Sequence, residues 1–487
     1  MAGNGTGAAV ETGNGRRVLL VSNRLPVTVR VRGPELQLEP SGGGLATGLR
    51  GVRSDAPTLW IGWPGEVLPN SHLRTQLERE LGTIGTRPVF LSRSEQKGFY
   101  DDFSNAAIWP VFHDFIDHLP LHIEGWQAYR QVNQRFAETV AASYRRGDLV
   151  WINDYHLMLV PQMLRQLLPP EARIGFFLHI PFPSTGIFRA LPHCRELLAG
   201  LLGADLLGFH TSLFAENFLA SVRAVLGLRT THSGLRQEGR SVTVRAFPMG
   251  VDAAAWEERA QSSKVAKQVV SLLQDAGGRK ILLGIDRLDY TKGLLRRIAA
   301  IERLLQDDPG LAEKVRFIMV TFPSRERVES YASLRRQLNE SVGRINSTYG
   351  SPRSLPIHLV QRSFDADDVS ALYSAAKIML VTPVRDGMNL VAKEFVASRV
   401  HGDGVLVLSE FAGAAEELTE ALIVNPYDTE GVAAAIRRAI EMPAEEQRRR
   451  MAYLRETVRA HDVHYWTESF LGALADGEAP GPELLDI

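Results

Sequence analysis

The segment Thr382–Glu394 carries the densest set of groups that could bind a polar ligand. It follows an apolar run, Ile378–Val381, and predicts a strand, a tight acidic turn and then a helix. Asp386 and the glycine after it precede the helix, where backbone N–H groups can donate to a ligand. Glu394 lies four residues after Leu390 and therefore on the same face of the helix. The backbone amides and the Asp386 carboxylate could bind a sugar, and the Glu394 carboxylate could bind a ribose diol. An ordinary strand-to-helix junction with a capping aspartate is the alternative.

Arg287 and Lys292 form a second candidate site, five residues apart after the apolar run 281–284. Two cations that converge after a buried strand can neutralise a diphosphate leaving group, as a divalent metal does in other enzymes. The alternative is a pair of solvated charges beside Asp286 and Asp289.

Two polar motifs of the first half also follow apolar runs. Asp154, after 149–152, could accept hydrogen bonds from sugar hydroxyls or cap a helix. The simpler interpretation of His156 is that of a structural histidine. His179 follows the run 174–178 and is held by two prolines, so its imidazole is stiffly placed for a hydroxyl. It lacks the neighbouring histidine spacing of a metal site, so no metal is predicted.

The glycine-rich segment 41–48 would let the backbone approach a phosphate or a sugar closely. Its spacing is not that of a dinucleotide-binding G-x-G-x-x-G motif, and no acidic residue closes a second strand. A nicotinamide dehydrogenase is therefore disfavoured, and a flexible surface loop is the alternative. A weaker cluster, Phe322–Arg327, is a basic loop after another strand.

The composition of the 487 residues indicates a globular protein of two or three domains. The net charge is −1 without a basic block, so no nucleic acid or membrane partner is predicted. The single cysteine, Cys194, excludes an internal disulfide and fits a reducing cytoplasm. No apolar run reaches the length of a membrane span. Residues 1–15 lack the apolar core of a signal peptide and predict a disordered tail.

Short, continuous apolar runs alternate with helical stretches, which indicates parallel sheets covered on both faces. The runs are 18–21, 149–152, 174–178, 206–209, 281–284, 315–320, 357–360, 378–381 and 405–408. The series pauses near Pro248–Asp252. The sequence therefore predicts two doubly wound domains with a cleft between them, at 16–250 and 251–460, and a helix with its tail at 461–487.

Four motifs together resemble the trehalose-6-phosphate synthase family of retaining glycosyltransferases: Asp154–Leu157, His179–Pro183, Arg287–Gly293 and Asp386–Glu394. The match runs from about Arg17 to Trp466. The resemblance implies a GT-B fold, in which two Rossmann-like domains face a cleft and a final helix crosses back to the first. It also implies transfer of glucose from UDP-glucose or GDP-glucose to glucose 6-phosphate, giving α,α-trehalose 6-phosphate without a cofactor. A homo-oligomer, either a dimer or a tetramer, stays open.

The family's functional residues carry over to matching positions. For the acceptor glucose 6-phosphate they are Arg24, Tyr100, Trp109, Asp154 and Arg325. For the donor they are Gly43, Gly44, His179, Arg287, Lys292, Phe364, Asp386, Gly387, Met388, Asn389, Leu390, Val391, Ala392, Lys393 and Glu394. Trp109 and Ile180 are implied in anomer selectivity. The implied catalytic set is Asp154, His179, Arg287, Lys292 and Asp386.

Two positions depart from the family's pattern: Asn153 stands where a histidine is common, and Phe395 where a tyrosine is frequent. Neither change removes a binding group. Relatives with the same fold make glucosylglycerol phosphate or couple cyclitols without a glycosidic bond, and these remain alternatives. A non-catalytic metabolite sensor is a further one, although such a protein should have lost ligand residues, and none of the matched positions is lost.

Overall fold

A computed structural model describes residues 16–32, 35–40, 57–68, 70–322, 329–352 and 354–477. The chain divides into two compact units. The first comprises Met1–Phe247 with Trp466–Ile487, and the second Pro248–Tyr465. Within the described residues, no helix combines the length and apolar character that crossing a membrane requires.

The first unit is built on an eight-stranded sheet. Its strands, with those of a separate hairpin, are β1 (Val18–Arg24), β2 (Val27–Arg32), β3 (Glu35–Pro40), β4 (Thr58–Trp63), β5 (Thr86–Pro88), β6 (Leu149–Asn153), β7 (Arg173–Phe177), β8 (Leu206–Phe209), β9 (Gly234–Gln237) and β10 (Arg240–Ala246). The sheet order is β5-β4-β1-β6-β7-β8-β10-β9, and only β9 runs antiparallel to its neighbour. β2 and β3 form the antiparallel hairpin.

Helices cover this sheet and connect its strands. The α-helices are α1 (Ser71–Gly82), α2 (Arg93–Glu95), α3 (Trp109–Phe112), α4 (Trp126–Ala141), α5 (Val160–Leu167), α6 (Thr185–Phe188), α7 (Cys194–Leu201) and α8 (Ser212–Ser221). The described residues of this unit also form two π-helical stretches, Gln96–Ile108 and Val222–Leu226, and two 3-10 turns, Ile116–His118 and Tyr155–Leu157. Every residue of β6 is buried, as the continuous apolar run predicts for a strand covered on both faces.

The second unit is built on a six-stranded, wholly parallel sheet of order β13-β12-β11-β14-β15-β16. Its strands are β11 (Lys280–Arg287), β12 (Val315–Phe322), β13 (Ile357–Val360), β14 (Ile378–Val381), β15 (Val405–Ser409) and β16 (Leu422–Val424). Leu283 belongs to the hydrophobic core on one face of the sheet and Leu282 to the core on the other. The parallel, doubly wound architecture predicted from the alternation of strands and helices is confirmed in both units.

The helices of the second unit are α9 (Ala253–Gln261), α10 (Ser263–Ala276), α11 (Leu294–Asp307), α12 (Glu329–Tyr349), α13 (Ala366–Ala375), α14 (Leu390–Ser398), α15 (Thr429–Glu441) and α16 (Ala444–Ala460). Short 3-10 turns lie at Tyr290–Lys292, Pro309–Glu313 and Gly413–Glu416.

The last described helix, α17 (Val463–Asp476), belongs to the first unit from Trp466 onwards. The ring of Phe470 stacks on Trp151 of β6 at 4.8 Å between centroids, and Trp466 lies 5.1 Å from the same indole. Gly175 of β7 makes room for this helix, because a Cβ there would lie 2.9 Å from Phe470.

Candidate active site

Arg24 places a guanidinium at the end of β1. Its Cζ lies 4.8 Å from the centroid of the Trp63 ring, and its Nη1 donates to the carbonyl of Gly65 at 3.4 Å. Gly65 has a φ of +89°, and a Cβ there would lie 2.3 Å from the guanidinium, so only glycine fits. Burial lowers the pKa of Arg24, opposed in part by Tyr100 and Glu66, yet a guanidinium remains a cation. The side chain is therefore a held positive charge on an aromatic face.

Tyr100 and His156 extend this aromatic wall. The Tyr100 ring, carried by the π-helical stretch 96–108, stacks on His156 at 5.6 Å with 7° between the planes. Trp63 lies 6.2 Å from Tyr100. His156 therefore supports a predicted ligand-binding aromatic residue, in agreement with its interpretation as a structural histidine. Trp109 is buried and packs on Tyr155, with 5.7 Å between centroids.

Asp154 has a strained backbone. Its φ of +78° and ψ of 163° lie in a region that side-chain-bearing residues rarely adopt, and such strain costs about 1–3 kcal/mol. Its side chain makes no cap hydrogen bond to the 3-10 turn that follows, so the helix-capping alternative is wrong. Oδ1 instead accepts from the backbone N–H of His179 at 3.3 Å, and Oδ2 lies 4.0 Å from Nδ1 of His156. Strain of this kind concentrates at functional sites.

His179 lies beyond the end of β7, and its Nε2 is 3.0 Å from Oδ1 of Asn153. Burial, with a smaller contribution from His210, lowers the pKa of His179 well below its ordinary value. The imidazole is therefore neutral at physiological pH. Ile180 follows it and is buried.

In the second unit, the buried Lys292 and the half-buried Asp386 form an ion pair. Nζ lies 2.5 Å from Oδ2, and Asn389 Nδ2 donates to the same oxygen at 2.9 Å. Asn389 has a φ of +72° and caps α14 by accepting from the N–H of Ala392 at 3.3 Å. The strand-end cation and the acidic turn, 94 residues apart in the chain, thus meet at one cluster.

Arg287 is exposed at the end of β11. The two acids near it have other tasks. Asp286 pairs with the buried Arg297 at 2.6 Å, and Asp289 accepts from the N–H of Thr291 at 3.0 Å, which shapes the turn before Lys292. Burial raises the pKa of Asp286, while Arg297 opposes the rise. The alternative of two solvated charges beside these acids is wrong for Lys292, which is buried and paired with Asp386.

In α14 and directly before it, the side chains of the predicted donor-binding segment have different surroundings. Glu394 Oε2 accepts from the hydroxyl of Tyr373 at 2.9 Å, and burial raises the pKa of Glu394 to about 7. The Lys393 ammonium instead binds Glu417 and the carbonyl of Met249. Met388 and Ala392 are buried in the hydrophobic core, so only their backbones can meet a ligand.

Phe364 is half-buried. The Cζ of Arg362 lies over its ring, 4.5 Å from the ring centroid. The predicted residues Gly43, Gly44 and Arg325 lie outside the described residues. The described part of the chain holds no group of three or more histidine, cysteine or acidic side chains placed to bind a metal ion.

The sequence motifs do not single out Trp63 and Tyr373, and they mention Asn153 only as a departure. Trp63 ends an apolar strand, β4, so the strand-end rule used for Asp154 and His179 could have found it. Asn153 is the last residue of β6, directly before Asp154, so the same rule could have found it. Tyr373 lies inside α13 and meets Glu394 only through folding, so it has no local signal.

Two doubly wound sheets with charged side chains beyond their strand ends match the GT-B glycosyltransferase fold of the solved structures described next, which confirms the predicted fold class. The chain belongs to glycosyltransferase family 20, whose model matches residues 16–476.

The chain is 40% identical over 467 residues to "Alpha,alpha-trehalose-phosphate synthase [UDP-forming] 1" of Aspergillus fumigatus, covering 95% of this chain and 91% of that protein. It is similar to the crystal structure of an alpha,alpha-trehalose-phosphate synthase (UDP-forming) from Burkholderia xenovorans in complex with glucose-6-phosphate. The TM-score is 0.84 and the identity 34%, over 94% of this chain and 100% of that one. A structure from E. coli bound with UDP-2-fluoro glucose gives a TM-score of 0.83 and 35% identity, over 94% of this chain and 99% of that one.

Proposed function

We propose that this protein transfers glucose from UDP-glucose to glucose 6-phosphate with retention of configuration, giving α,α-trehalose 6-phosphate and UDP. The observation that carries the proposal is the cluster of Lys292, Asp386 and Asn389, which joins a cation to a polar turn at the ends of parallel strands. The relatives named UDP-forming support uracil over guanine as the donor base.

The first unit supplies all of the proposed acceptor groups except Arg325, which belongs to the second unit. Arg24 binds the phosphate of glucose 6-phosphate, and its contact with Trp63 keeps the guanidinium in place. Tyr100 and Trp109 line the acceptor sugar, and Asp154 accepts from its hydroxyls. Arg325 is the second phosphate ligand. Because two arginines are assigned to the phosphate, glucose itself should not replace glucose 6-phosphate.

The second unit supplies most of the donor groups. Arg287 and Lys292 bind the diphosphate, and the 386–392 segment binds the glucose and phosphates. Glu394 accepts from the ribose diol, and Phe364 lies at the base. From the first unit, His179 contacts the donor glucose, with Gly43 and Gly44 covering it.

The chemistry needs no enzyme nucleophile. A retaining glycosidase places a carboxylate close behind the anomeric carbon. Asp386 is instead committed to Lys292 and Asn389, and Asp154 to the backbone of His179. The acceptor hydroxyl therefore attacks from the side of the leaving group. The bond from the anomeric carbon to the phosphate oxygen breaks as the new glycosidic bond forms, and the hydroxyl proton passes to a donor phosphate oxygen. Arg287 and Lys292 stabilise the departing diphosphate.

The domain roles follow the same division, with 16–250 as the acceptor domain, 251–460 as the nucleotide-sugar domain and 461–487 packing back on the first. The single cysteine supports a cytoplasmic protein.

Substitution of the two cations tests the mechanism. Arg287→Ala and Lys292→Ala should each lower kcat by about 100-fold or more, because each removes charge stabilisation of the leaving group. Arg296→Ala is the matched control, since Arg296 is an exposed arginine nearby that contacts the Tyr427 ring. The measurement is the rate of UDP release by each purified variant. Turnover close to that of the control in either variant would exclude that cation from the mechanism.

The substrates are tested separately from the mechanism. Turnover is measured with UDP-glucose or GDP-glucose, against glucose 6-phosphate, glucose, glycerol 3-phosphate or a cyclitol phosphate as acceptor. We expect product only with glucose 6-phosphate, and faster with UDP-glucose. Preference for another acceptor would select one of the related transferases, and nucleotide binding without turnover in any pair would indicate a sensor.

A further inference from the structure

The hydrogen bond between Asn153 and His179 has a direction that the surrounding atoms fix. Asn153 is fully buried, and its Nδ2 lies 3.3 Å from the carbonyl oxygen of Trp151 and 3.5 Å from that of Val21. If the amide were turned over, its oxygen would face two carbonyl oxygens and no donor. The amide oxygen therefore faces Nε2 of His179, 3.0 Å away. Because this oxygen can only accept, Nε2 must carry the proton.

The surroundings of His179 favour the neutral ring. Phe177 of β7 lies 4.6 Å and Trp466 of α17 5.9 Å from the imidazole, centroid to centroid. The titratable groups that face it are His210, 5.5 Å away beyond β8, and Asp154, which accepts from the backbone N–H of His179. Burial holds the pKa of His179 well below its ordinary value, with His210 contributing. A neutral imidazole protonated at Nε2 has an unprotonated Nδ1, which can only accept.

We propose that Asn153 is a positioning residue that holds His179 in the Nε2-protonated tautomer, so that Nδ1 accepts a hydrogen bond from a hydroxyl of the donor glucose. This inference rests on the proposed function, which puts the donor sugar against His179. The ring is half-buried and so retains a surface for a ligand. The acceptor role makes the site selective for a sugar with a hydroxyl there. Fluorine or hydrogen at that position cannot donate and should be discriminated against.

Two substitutions of Asn153 should give different pH profiles. Asn153→Ala removes the partner of Nε2, so both tautomers become populated and kcat/KM for UDP-glucose falls by about tenfold at every pH. Asn153→Asp keeps an acceptor but adds a negative charge, which favours the imidazolium and raises the pKa of His179. Nδ1 then carries a proton at low pH. kcat/KM of this variant should be depressed at low pH and recover as pH rises, which a simple packing defect would not produce.

Nitrogen-15 NMR of the labelled full-length protein measures the tautomer of His179 directly. Two-bond correlations distinguish the protonated from the unprotonated ring nitrogen, and His179→Gln identifies the His179 signals among the 13 histidines. We expect Nε2–H in the wild type, mixed tautomers in Asn153→Ala and a doubly protonated ring at low pH in Asn153→Asp. Asn346→Asp is the matched control, because Asn346 is a half-buried asparagine whose side-chain amide hydrogen-bonds to the backbone of Ile357. Its pH profile should match the wild type.

The outcomes separate this inference from the proposed function. A wild-type spectrum with the proton on Nδ1 would overturn the tautomer assignment. So would an equal, pH-independent loss in both Asn153 variants. If His179→Gln keeps normal kcat/KM for UDP-glucose, the proposed contact of His179 with the donor fails instead, whatever the spectrum shows.

Discussion

Glu394 illustrates how burial, more than neighbouring charge, sets the behaviour of a binding group. Burial raises the pKa of Glu394 to about 7, although the Tyr373 hydroxyl and Arg259 both oppose the rise. The pKa in the folded protein lies above the reference value of 4.5. Below pH 4.5 the carboxyl is protonated in both the folded and the unfolded chain, so it does not lower the stability of the ligand-free fold. As pH rises, the unfolded chain ionises first, so the free energy of unfolding falls until pH passes about 7.

This pKa predicts a pH-dependent affinity for the nucleotide. If Glu394 accepts from the ribose diol, it must be ionised to accept through both oxygens, so UDP binding should release a proton near neutral pH. We expect the affinity for UDP to rise with pH and to level off above about 7. Calorimetry in two buffers of different ionisation enthalpy measures both the affinity and the proton release.

Two variants test the origin of this dependence. Glu394→Gln should bind UDP more weakly and without the pH dependence. Tyr373→Phe removes the hydroxyl that opposes the pKa rise, so its transition should move to higher pH. An affinity for UDP that stays constant from pH 6 to pH 8 in the wild type would contradict a titrating Glu394 at the ribose.

At the residue scale, the sequence predicts which groups lie at strand ends, but not what each contacts. Lys292 and Asp386 are both predicted because each follows a buried strand. Their ion pair joins residues 94 positions apart and needs the sheet order. The strained backbone of Asp154 has no sequence signal either, since nothing in its neighbours requires a positive φ. The site residues at Gly43, Gly44 and Arg325 remain predictions.

At the scale of elements, continuous apolar runs predict the strands buried on both faces. All nine predicted runs overlap observed strands, including 378–381, which matches β14 at both ends. The hairpin β2–β3 and the strands β9 and β10 are missed, because their sequences mix polar and apolar residues as strands with one solvated face do. β5 and β16 have only three residues each and are too short to show a pattern. β4, Thr58–Trp63, is missed as well, although its sequence is mostly apolar.

Packing between β7 and α17 leads to a prediction about stability. A Cβ on Gly175 would lie 2.9 Å from Phe470 and 3.0 Å from Leu474. Gly175→Ala should therefore destabilise the protein by about 1–3 kcal/mol through overpacking. Phe470→Leu in the same chain should recover part of the loss. Urea denaturation followed by tryptophan fluorescence measures both, since Trp151 and Trp466 border the contact.

Gly472 of the same helix provides the control. A Cβ there would meet nothing within 4 Å. Gly472→Ala should leave the packing unchanged and stabilise by about 0.5–1 kcal/mol through helix propensity. Equal effects of the two glycine substitutions would mean that β7 and α17 do not pack as closely as the structure has them.

At the scale of the whole molecule, the chain passes between the two units twice, at Phe247–Pro248 and at Tyr465–Trp466. The segments beside these passages hydrogen-bond and pack against each other within the second unit. The N–H of Val463 donates to the carbonyl of Val251 at 3.1 Å. Gly250 lies so close to His461 that a Cβ would be 2.2 Å from its carbonyl oxygen.

Lys393 connects this region to the helix that carries Glu394. Its ammonium, 1% exposed, donates to the carbonyl of Met249 at 2.8 Å and pairs with Glu417 at 2.5 Å. Glu417 in turn lies 3.1 Å from Nδ1 of His461. Burial lowers the pKa of Lys393, and Glu417 opposes the change. The helix at the predicted ribose site is thereby attached to both passages of the chain.

Removing this cation should destabilise the second unit and weaken nucleotide binding together. Lys393→Met leaves Glu417 buried without its main partner, which costs about 3–5 kcal/mol, and Lys393→Met with Glu417→Leu should restore most of the loss. Lys377→Met is the control, because Lys377 pairs with Asp403 near the surface, where such a pair contributes about 0–1 kcal/mol. Chemical denaturation and UDP titration of the three variants provide the measurements. If Lys393→Met unfolds like the control while UDP affinity is kept, the buried ammonium does not hold α14 to the chain passages. The nucleotide site would then be independent of them.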